Sequence, residues 1–234
     1  TISPVPSLFT FNTSTQWAKE LSGIAVNASV RLLSQDGKSL KIAETAPMLF
    51  THNGFSGPAV LRASAWGARV LAEYNYRCLM EVNFTAHNSE ALTYDETLLL
   101  LQDCKQHNGR KTMQNLALFD LPKRLWNALL DSAGIAPAQS WAELNKSQLR
   151  HLAEILTQCR FPIEGKATFK DEFVTAGGVK LSEINFKTYE SKLHPHLYLA
   201  GEVLDIDAIT GGFNFQNAWT GGYIIAENTL TSKK

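Results

Sequence analysis

The stretch IAVNASVRLLSQDGKSLKIAETAPMLF, residues 24–50, contains two segments rich in apolar side chains with a turn signal between them. In residues 24–32 every second side chain is apolar, which is the period of a β-strand with one buried face. Asp36-Gly37 follows and is typical of a tight turn between antiparallel strands. Apolar residues resume in residues 40–50, so the whole stretch predicts a β-hairpin.

The sequence on either side of this hairpin has the same β character. Alternating apolar residues in residues 78–84 predict another strand, and several short strands separated by turns are typical of a small barrel or sandwich. Strand character returns after residue 160, at Phe161, Ile163, Ala167, Phe169 and Phe173. The apolar run Leu-Tyr-Leu-Ala, residues 197–200, predicts a buried strand that feeds a turn at Gly201.

Between these β regions, residues 93–160 change to a helical period. Thr93-x-x-Glu96 and Ser140-x-x-Glu143 both have the capping-box pattern of helix starts. Pro122 suits the first turn of another helix, and Gly134 suits its exit. The apolar stripes of these segments predict a small subdomain of three or four helices packed around its own core.

The composition is that of a folded protein and argues against several classes of function. The chain has 234 residues, of which 44% are apolar, enough for a sizeable core. Lys plus Arg and Asp plus Glu both number 22, and this zero net charge argues against a nucleic-acid partner. No apolar run is long enough for a transmembrane helix, so we expect no membrane association.

The cysteines and the first residue bear on the cellular context. Cys78, Cys104 and Cys159 form no Cys-x-x-Cys motif, so we expect reduced thiols in a cytoplasmic protein. The chain starts at Thr1 and its first methionine is Met48. Because no secretion signal is visible, we expect a piece of a longer protein rather than a processed product.

The first of three glycine-bearing clusters is Thr-His-Asn-Gly-Phe-Ser-Gly-Pro-Ala, residues 51–59. Gly54 and Gly57, followed by Pro58, predict a tight loop leading into a helix, where a ligand can approach backbone N–H groups. The alternative is a plain turn between a strand and a helix. His52 is likewise either a structural residue or a catalytic acid or base.

The second cluster is Val-Thr-Ala-Gly-Gly-Val, residues 174–179. Gly177 and Gly178 lie in a strand-like context, and paired glycines there predict a bulge or a close approach of another backbone. That approach is either a crossing between two domains or a ligand contact, and the residues alone leave both open.

The third cluster is Gly-Glu-Val-Leu-Asp-Ile-Asp-Ala-Ile-Thr-Gly-Gly-Phe-Asn, residues 201–214. Its carboxylates follow a predicted strand, where they can accept sugar hydroxyls, and Gly211-Gly212 opens a predicted helix that can admit an anionic group. A calcium loop is disfavoured because apolar residues interrupt the necessary spacing of oxygen donors. We expect no metal.

Taken together and in this order, the clusters resemble the BaiN-like family of bacterial NAD(P)/FAD-dependent flavoproteins, which includes aminoacetone-oxidase-like proteins. The matching stretches are THNGFSGPAVLRAS (51–64), VTAGGVKLSEI (174–184), TYESK (188–192) and LYLAGEVLDIDAITGGFNFQNAWTGG (197–222). The last of these is long and specific, whereas residues 66–160 match by organisation only.

The resemblance implies an α+β fold, with a β-barrel-like insert, a small helical subdomain and the C-terminal part of a Rossmann-like FAD-binding domain. The insert would comprise residues 1–92 and 161–173, the helical subdomain 93–160, and the FAD-binding part 174–234. The N-terminal FAD-binding segment, which carries Gly-x-Gly-x-x-Gly in that family, would precede this chain and act as its partner. We therefore expect this chain alone to retain no FAD and to be inactive.

The resemblance also implies an FAD-dependent oxidoreductase that passes a hydride between NAD(P)H, the flavin and a small organic substrate. Backbone N–H groups at a helix N-terminus stabilise the negative charge of a reduced flavin. The cofactor-binding residues implied are Thr175, Gly177, Gly178, Glu202, Asp205, Gly211, Gly212, Phe213 and Asn214. Gly54, Ser56 and Gly57 would lie on the substrate side, with His52 as the catalytic candidate.

Two other classes of function stay open. A non-catalytic barrel-like module that binds a protein or RNA partner is the main alternative, although the absence of a basic aromatic patch argues against RNA. A hydrolase is less favoured because no pairing of a nucleophile with a base is visible in the sequence.

Overall fold

A computed structural model describes residues 1–87, 90–167 and 174–231. Its strands are β1 (Ile2–Ser7), β2 (Phe11–Thr13), β3 (Ala25–Leu33), β4 (Ser39–Phe50), β5 (Gly54–Ser56), β6 (Cys78–Asn83), β7 (Cys159–Lys166), β8 (Val174–Gly178), β9 (Ile184–Asn185) and β10 (Glu190–Ser191). Its α-helices are α1 (Gln16–Glu20), α2 (Pro58–Trp66), α3 (Ala68–Glu73), α4 (Tyr94–His107), α5 (Lys123–Ser132), α6 (Lys146–Gln158) and α7 (Phe213–Thr231). The predicted strand positions Phe169 and Phe173 lie outside the described residues.

Six strands close into a barrel in the order β2-β5-β4-β3-β6-β7, and every neighbouring pair is antiparallel. The predicted barrel is therefore confirmed. Its large apolar side chains are fully buried in the main core: Phe11, Val30, Leu32, Met48, Phe50, Phe55, Met80, Val82 and Phe161. Burial of one such side chain contributes roughly 1.5–3 kcal/mol, so this core is the main source of stability.

The hairpin predicted for residues 24–50 is formed by β3 and β4. Gly37 has a φ of +82° in the connecting turn, a conformation that suits glycine. The pairing register shifts between Leu32 and Leu33, and Lys41 in β4 has a φ of +60°. Such bulges increase the local twist of a strand, which a closed barrel requires.

The helical segment is inserted between β6 and β7, and its predicted capping at Thr93 is confirmed. The Thr93 N–H donates to Glu96 Oε2 at 2.8 Å, and the Glu96 N–H donates to Thr93 Oγ1 at 3.3 Å. α5 begins directly after Pro122, as predicted. The buried indole N–H of Trp126 donates to the Met113 carbonyl at 2.7 Å and holds a 3₁₀ turn against α5.

The capping box predicted at Ser140 is confirmed, but the α-helix expected after it does not start there. The reciprocal hydrogen bonds between Ser140 and Glu143 do form, but the residues after them make only a short 3₁₀ turn, Trp141–Glu143. The backbone of Leu144 is extended, which ends that turn, and the side chain is buried in the core. α6 starts two residues later, where Asn145 Oδ1 accepts the Gln148 N–H at 2.9 Å.

Outside the barrel, β1 and β8 form a two-stranded antiparallel sheet in which Ser7 pairs with Val174. The buried strand predicted at residues 197–200 is wrong. These residues make one isolated bridge, between Tyr198 and Glu190, and the side chain of Leu197 is exposed. A buried strand needs a continuous hydrogen-bonded neighbour, and one bridge does not supply it. The helix predicted after Gly212 is confirmed as α7.

Candidate functional site

The third glycine cluster, residues 201–214, links the β1–β8 sheet to α7. It begins with a 3₁₀ turn, Gly201–Val203, that packs against α7, where a Cβ added to Gly201 would stand 3.4 Å from the Cβ of Ala218. Ile209 packs against a small buried cluster that contains Leu8 and Val174. The loop is therefore fixed at both ends by contacts with neighbouring elements.

The start of α7 is open to solvent and carries four of the predicted cofactor-binding residues. Gly211 and Gly212 have φ values of +127° and +85°, and a Cβ added to Gly212 would meet no atom within 4 Å. Asn214 Oδ1 accepts the Ala208 N–H, and its Nδ2 donates to the Ala208 carbonyl, both at 2.9 Å. This pair of hydrogen bonds fixes the loop, and the side chain of Phe213 is exposed.

An anion suits this helix end for electrostatic reasons. The first N–H groups of an α-helix have no acceptor within the helix, and the aligned peptide dipoles add partial positive charge there. α7 is 19 residues long, so its dipole is fully developed. The arrangement can bind a phosphate, a carboxylate or the negatively charged edge of a flat ring.

The three acidic side chains of this cluster have different surroundings. The Asp205 carboxylate accepts a hydrogen bond from Arg69 Nη2 at 2.7 Å, and Asp207 Oδ2 accepts one from Ser7 Oγ at 3.1 Å. Glu202 is exposed. Asp205 and Asp207 thus connect the loop to α3 and to β1, and no local sequence signal pointed to Arg69 or Ser7 as their partners.

The second cluster lies beside this loop in β8. The Val179 N–H donates to the Val203 carbonyl at 2.8 Å, and the Asp205 N–H donates to the Val179 carbonyl at 3.0 Å. A Cβ on Gly178 would overlap the Val203 carbonyl oxygen, and one on Gly177 would stand 2.6 Å from the Ser3 carbonyl oxygen. The close backbone approach predicted for these glycines is confirmed, and Thr175 is exposed on the same strand.

The first cluster belongs to the barrel. A Cβ on Gly54 would overlap the Phe11 carbonyl oxygen in β2, and one on Gly57 would stand 3.0 Å from the Pro47 carbonyl oxygen. Both glycines are therefore required by close strand packing. His52 is exposed in the turn between β4 and β5, and Ser56 is half-buried at the end of β5.

α2 connects this barrel loop to the third cluster. It begins after Gly57, and its residues Leu61 and Ala65 belong to the same apolar cluster as Ile209. The first and third clusters, which are about 150 residues apart in the sequence, are thereby joined through one short helix. His52 and Gly54 lie at the barrel end of this connection.

Two of the cysteines are inert, and no metal centre is found within the residues described. Burial raises the pKa of Cys78 and of Cys159 to about 12, so both thiols stay protonated at neutral pH. Among residues 1–87, 90–167 and 174–231, no group of three His, Cys, Asp or Glu side chains is placed to hold a metal ion. No helix in the same ranges is both long enough and apolar enough to span a membrane.

Comparison with protein families accounts for the barrel and the helical insertion together. A family described as the HI0933-like protein barrel and H2TH domain matches residues 5–174. This chain belongs to the HI0933-like family. The match covers the closed barrel and α4–α6, so both parts of the predicted architecture belong to one family unit.

This HI0933-like chain is similar to three named proteins. It is 31% identical to a ribosomal RNA dihydrouridine synthase of Haemophilus influenzae over 96% of the chain and 51% of that protein. It is 33% identical to a protein of the same name from Escherichia coli over 80% of the chain and 43% of that protein. It is 30% identical to a 3-dehydro-bile acid delta(4,6)-reductase of Clostridium scindens over 96% of the chain and 53% of that protein.

One of these relatives is named a reductase and two are named dihydrouridine synthases. The chain spans about half the length of each of these relatives. The finer resemblance to the BaiN-like group, and the flavin and nucleotide that it implies, remain predictions.

Proposed function

We propose that this chain supplies the barrel, the helical subdomain and the last helix of an FAD-dependent reductase. The observation that carries the proposal is the start of α7, where Gly211 and Gly212 leave an exposed helix N-terminus that Asn214 holds in place. The open space at Gly212 and the free N–H groups of this helix end fit the anionic edge of a reduced flavin. The reductase named among the relatives supports the same reading.

FAD would supply a hydride to the substrate and recover it from NAD(P)H. In the proposed assignment, the N–H groups that follow Gly212 stabilise the negative charge of the reduced ring. The exposed Glu202 carboxylate would accept a hydrogen bond from a hydroxyl group of the ribityl chain or lie near the pyrophosphate. Thr175, Gly177 and Gly178 border the ring from the β8 side, while Asp205, held by Arg69, fixes the loop.

The half of the relatives that this chain does not match would complete the FAD site. α7 presents an apolar face that the described residues leave exposed, and Trp219, 69% exposed, stacks with Phe215 at 5.9 Å between ring centroids. Large aromatic side chains of this kind contribute strongly when another domain covers them. The proposal assigns this face to the missing FAD-binding segment.

Two substrate classes are compatible with the relatives. Dihydrouridine differs from uridine by two hydrogens on one ring double bond, and the reductase name also describes reduction of ring double bonds. We favour a uracil base in ribosomal RNA, because two of the three relatives named above carry that substrate in their names. The sequence-based expectation of a small substrate and no nucleic acid is the competing reading, and the bile-acid reductase supports it.

In either case a hydride adds to one carbon of the double bond and a proton to the other. Gly54, Ser56 and Gly57 would border the substrate, and His52 is the candidate proton donor because its ring is exposed beside them. Replacing His52 with Gln should lower turnover and leave the flavin content unchanged. An unchanged turnover would remove His52 from the proposal.

The test compares two glycines of equal backbone strain in the complete reading frame. Gly212 and Gly23 have φ values of +85° and +89°, and neither has an atom near the position of an added Cβ. We expect Gly212→Leu to lose the visible flavin absorbance, and Gly23→Leu to keep it. A yellow Gly212→Leu protein would refute the cofactor position. A folded, colourless wild-type protein that takes up no added FAD would favour the non-catalytic binding module.

NADPH consumption then distinguishes the substrates. The yellow protein is incubated with unmodified ribosomal RNA and, separately, with an unsaturated 3-keto steroid. Oxidation of NADPH with the RNA alone would support the favoured substrate. Oxidation with the steroid alone would support the small-molecule reading.

A further inference from the structure

A cleft between α4 and α6 has three cationic side chains and no carboxylate in its lining. Its volume is about 420 Å³, and its walls are Leu98, Gln102, Lys105, Lys146, Leu149 and Arg150. The two leucines give it an apolar floor, along which the aliphatic stems of the lysines and the arginine can lie. The cleft belongs to the helical subdomain and shares no lining residue with the proposed cofactor site.

The positive charges of this cleft are not neutralised by the described residues. Lys146 and Arg150 form no ion pair and no hydrogen bond through their side chains with any residue in 1–87, 90–167 or 174–231. Lys105 donates its ammonium hydrogens to the Leu144 carbonyl, which is uncharged. The three cations therefore keep their full attraction for an external anion.

Four carboxylates lie on α4 and α6, at Asp95, Glu96, Asp103 and Glu154, and none of them lines this cleft. Glu96 accepts the capping bonds of Thr93 at the start of α4, and Asp103 lies 3.1 Å from the His107 ring. Glu154, one turn beyond Arg150, lines a different cleft. The charged groups that line this cleft are therefore all cationic.

The start of α6 adds to the same positive field. Lys146 is the first residue of α6, so its ammonium group lies beside the positive end of a 13-residue helix. The capping box of Asn145 and Gln148 already uses backbone N–H groups of this helix end.

We propose that this cleft binds the phosphate backbone of the RNA substrate. The inference rests on the proposed function, since a reductase of a base within folded RNA must hold the surrounding strand as well as the reacting base. Contacts between cations and phosphates position a nucleic acid without reading its sequence. A zero net charge does not oppose this, because phosphate binding depends on local cations that lack acidic neighbours.

The test measures RNA binding by the 234-residue chain with Lys146 and Arg150 both replaced by Gln. The probe is a fluorescein-labelled RNA hairpin with a uridine-containing loop, followed by fluorescence anisotropy from about 50 to 200 mM salt. The charge-matched control replaces Lys180 and Lys187, which are exposed and lie outside this cleft, by Gln. Circular dichroism verifies that all proteins are folded.

We expect the double variant to lose about tenfold or more in affinity for the hairpin at about 100 mM salt. The plot of log affinity against log salt should become shallower, its negative slope falling in magnitude by about 1.5. The control should behave as the wild type. Equal binding by the double variant would overturn the proposal. So would a wild-type chain that binds no hairpin.

A second probe separates RNA from other sources of phosphate. If the double variant loses affinity for inorganic phosphate or NADPH and keeps its affinity for the hairpin, the cleft is a nucleotide or phosphate site and the proposal is wrong. Flavin absorbance of the complete protein is measured in parallel. If the complete protein has no flavin absorbance but still binds RNA through the cleft, the proposed reductase function is refuted and the proposed RNA site is retained.

Discussion

Replacing Glu81 with Gln should destabilise the barrel in a way that depends on pH. The side chain of Glu81, in β6, is 4% exposed, and its two oxygens accept hydrogen bonds from Arg31 on β3 and Arg160 on β7. The Arg160 Nε lies 2.9 Å from Oε2. Burial raises the pKa of Glu81, but the hydrogen bonds and charges of the two arginines outweigh it and hold the pKa below its ordinary value of 4.5.

The expected change in the free energy of unfolding follows from the hydrogen bonds that Gln keeps and those that it loses. Gln has the same shape and retains one acceptor oxygen. Of the three charge-assisted hydrogen bonds, either the one from Arg160 or the two from Arg31 are lost, and the remainder become weaker. A hydrogen bond to a charged group is worth about 1.5–3 kcal/mol, and the guanidinium groups of Arg31 and Arg160 are about half exposed, which limits the gain. We expect a loss of about 2 kcal/mol. For a chain of this size this lowers the unfolding midpoint by roughly 4–8 °C.

The assay is thermal unfolding followed by circular dichroism at about pH 7 and about pH 3. Because the folded-state pKa is lowered, the carboxylate stabilises the fold fully above its unfolded-state pKa, and the contribution is lost as the pH falls through the folded-state pKa. The difference between wild type and Glu81→Gln should therefore shrink in acid. The control is Glu164→Gln, an exposed position on β7, which should unfold like the wild type at both pH values. A Glu81→Gln protein as stable as the wild type at neutral pH would refute the reasoning, as would a difference that does not change with pH.

Further predictions concern local features of the fold. Gly178→Ala should unfold several degrees below the wild type in a thermal melt because its Cβ would overlap the Val203 carbonyl, whereas Gly222→Ala, with no atom nearby, should not. Asn145→Ala should cost about 1 kcal/mol in urea unfolding through loss of the α6 cap, and an unchanged midpoint would contradict the capping role. Cys78 and Cys159, with pKa values of about 12, should resist iodoacetamide at neutral pH in the folded chain, and rapid alkylation of either would disprove their burial.

The parts of the fold that could be predicted from sequence are those set by local periodicity. The alternation in residues 24–32 fixes one buried face of β3, and the Asp36-Gly37 turn fixes the return of the chain. The Thr93 and Glu96 pair marks the start of α4 because both capping bonds are made within one turn. These signals depend on neighbouring residues, and the structure confirms each of them.

The parts that could not be predicted depend on residues that are distant in the chain. The ion pair between Arg69 and Asp205 joins elements 136 residues apart, and no local pattern announces it. The capping-box pattern of Ser140 and Glu143 does not specify an α-helix, because its reciprocal hydrogen bonds suit a 3₁₀ turn as well. The run at residues 197–200 has the composition of a buried strand, but strand formation also requires a partner, which composition does not specify.

For the candidate site, the sequence indicated the positions of the glycines and not their neighbours. Gly54 and Gly178 are explained by close approach of the Phe11 and Val203 carbonyls. The sequence indicated such an approach at Gly178, and the folded chain identifies the carbonyl. Gly212 differs from them because its missing side chain leaves open space beside a helix end. Packing alone therefore accounts for a glycine at positions 54 and 178, whereas it does not account for the glycine at position 212.

The pairing of β1 with β8 has a consequence for how such a protein can be assembled from parts. Ser7 and Val174 are register partners, and paired residues of antiparallel strands lie only about 5 Å apart. The chain thus leaves the β1–β8 sheet after Ser7 and returns to it at Val174, at nearly the same point. The barrel and the helical subdomain lie between these two residues in the sequence. A short turn joining residues 7 and 174 would close this gap with little distortion of either strand. Such geometry lets a host domain gain or lose a whole barrel at a surface loop while its own connections stay unchanged.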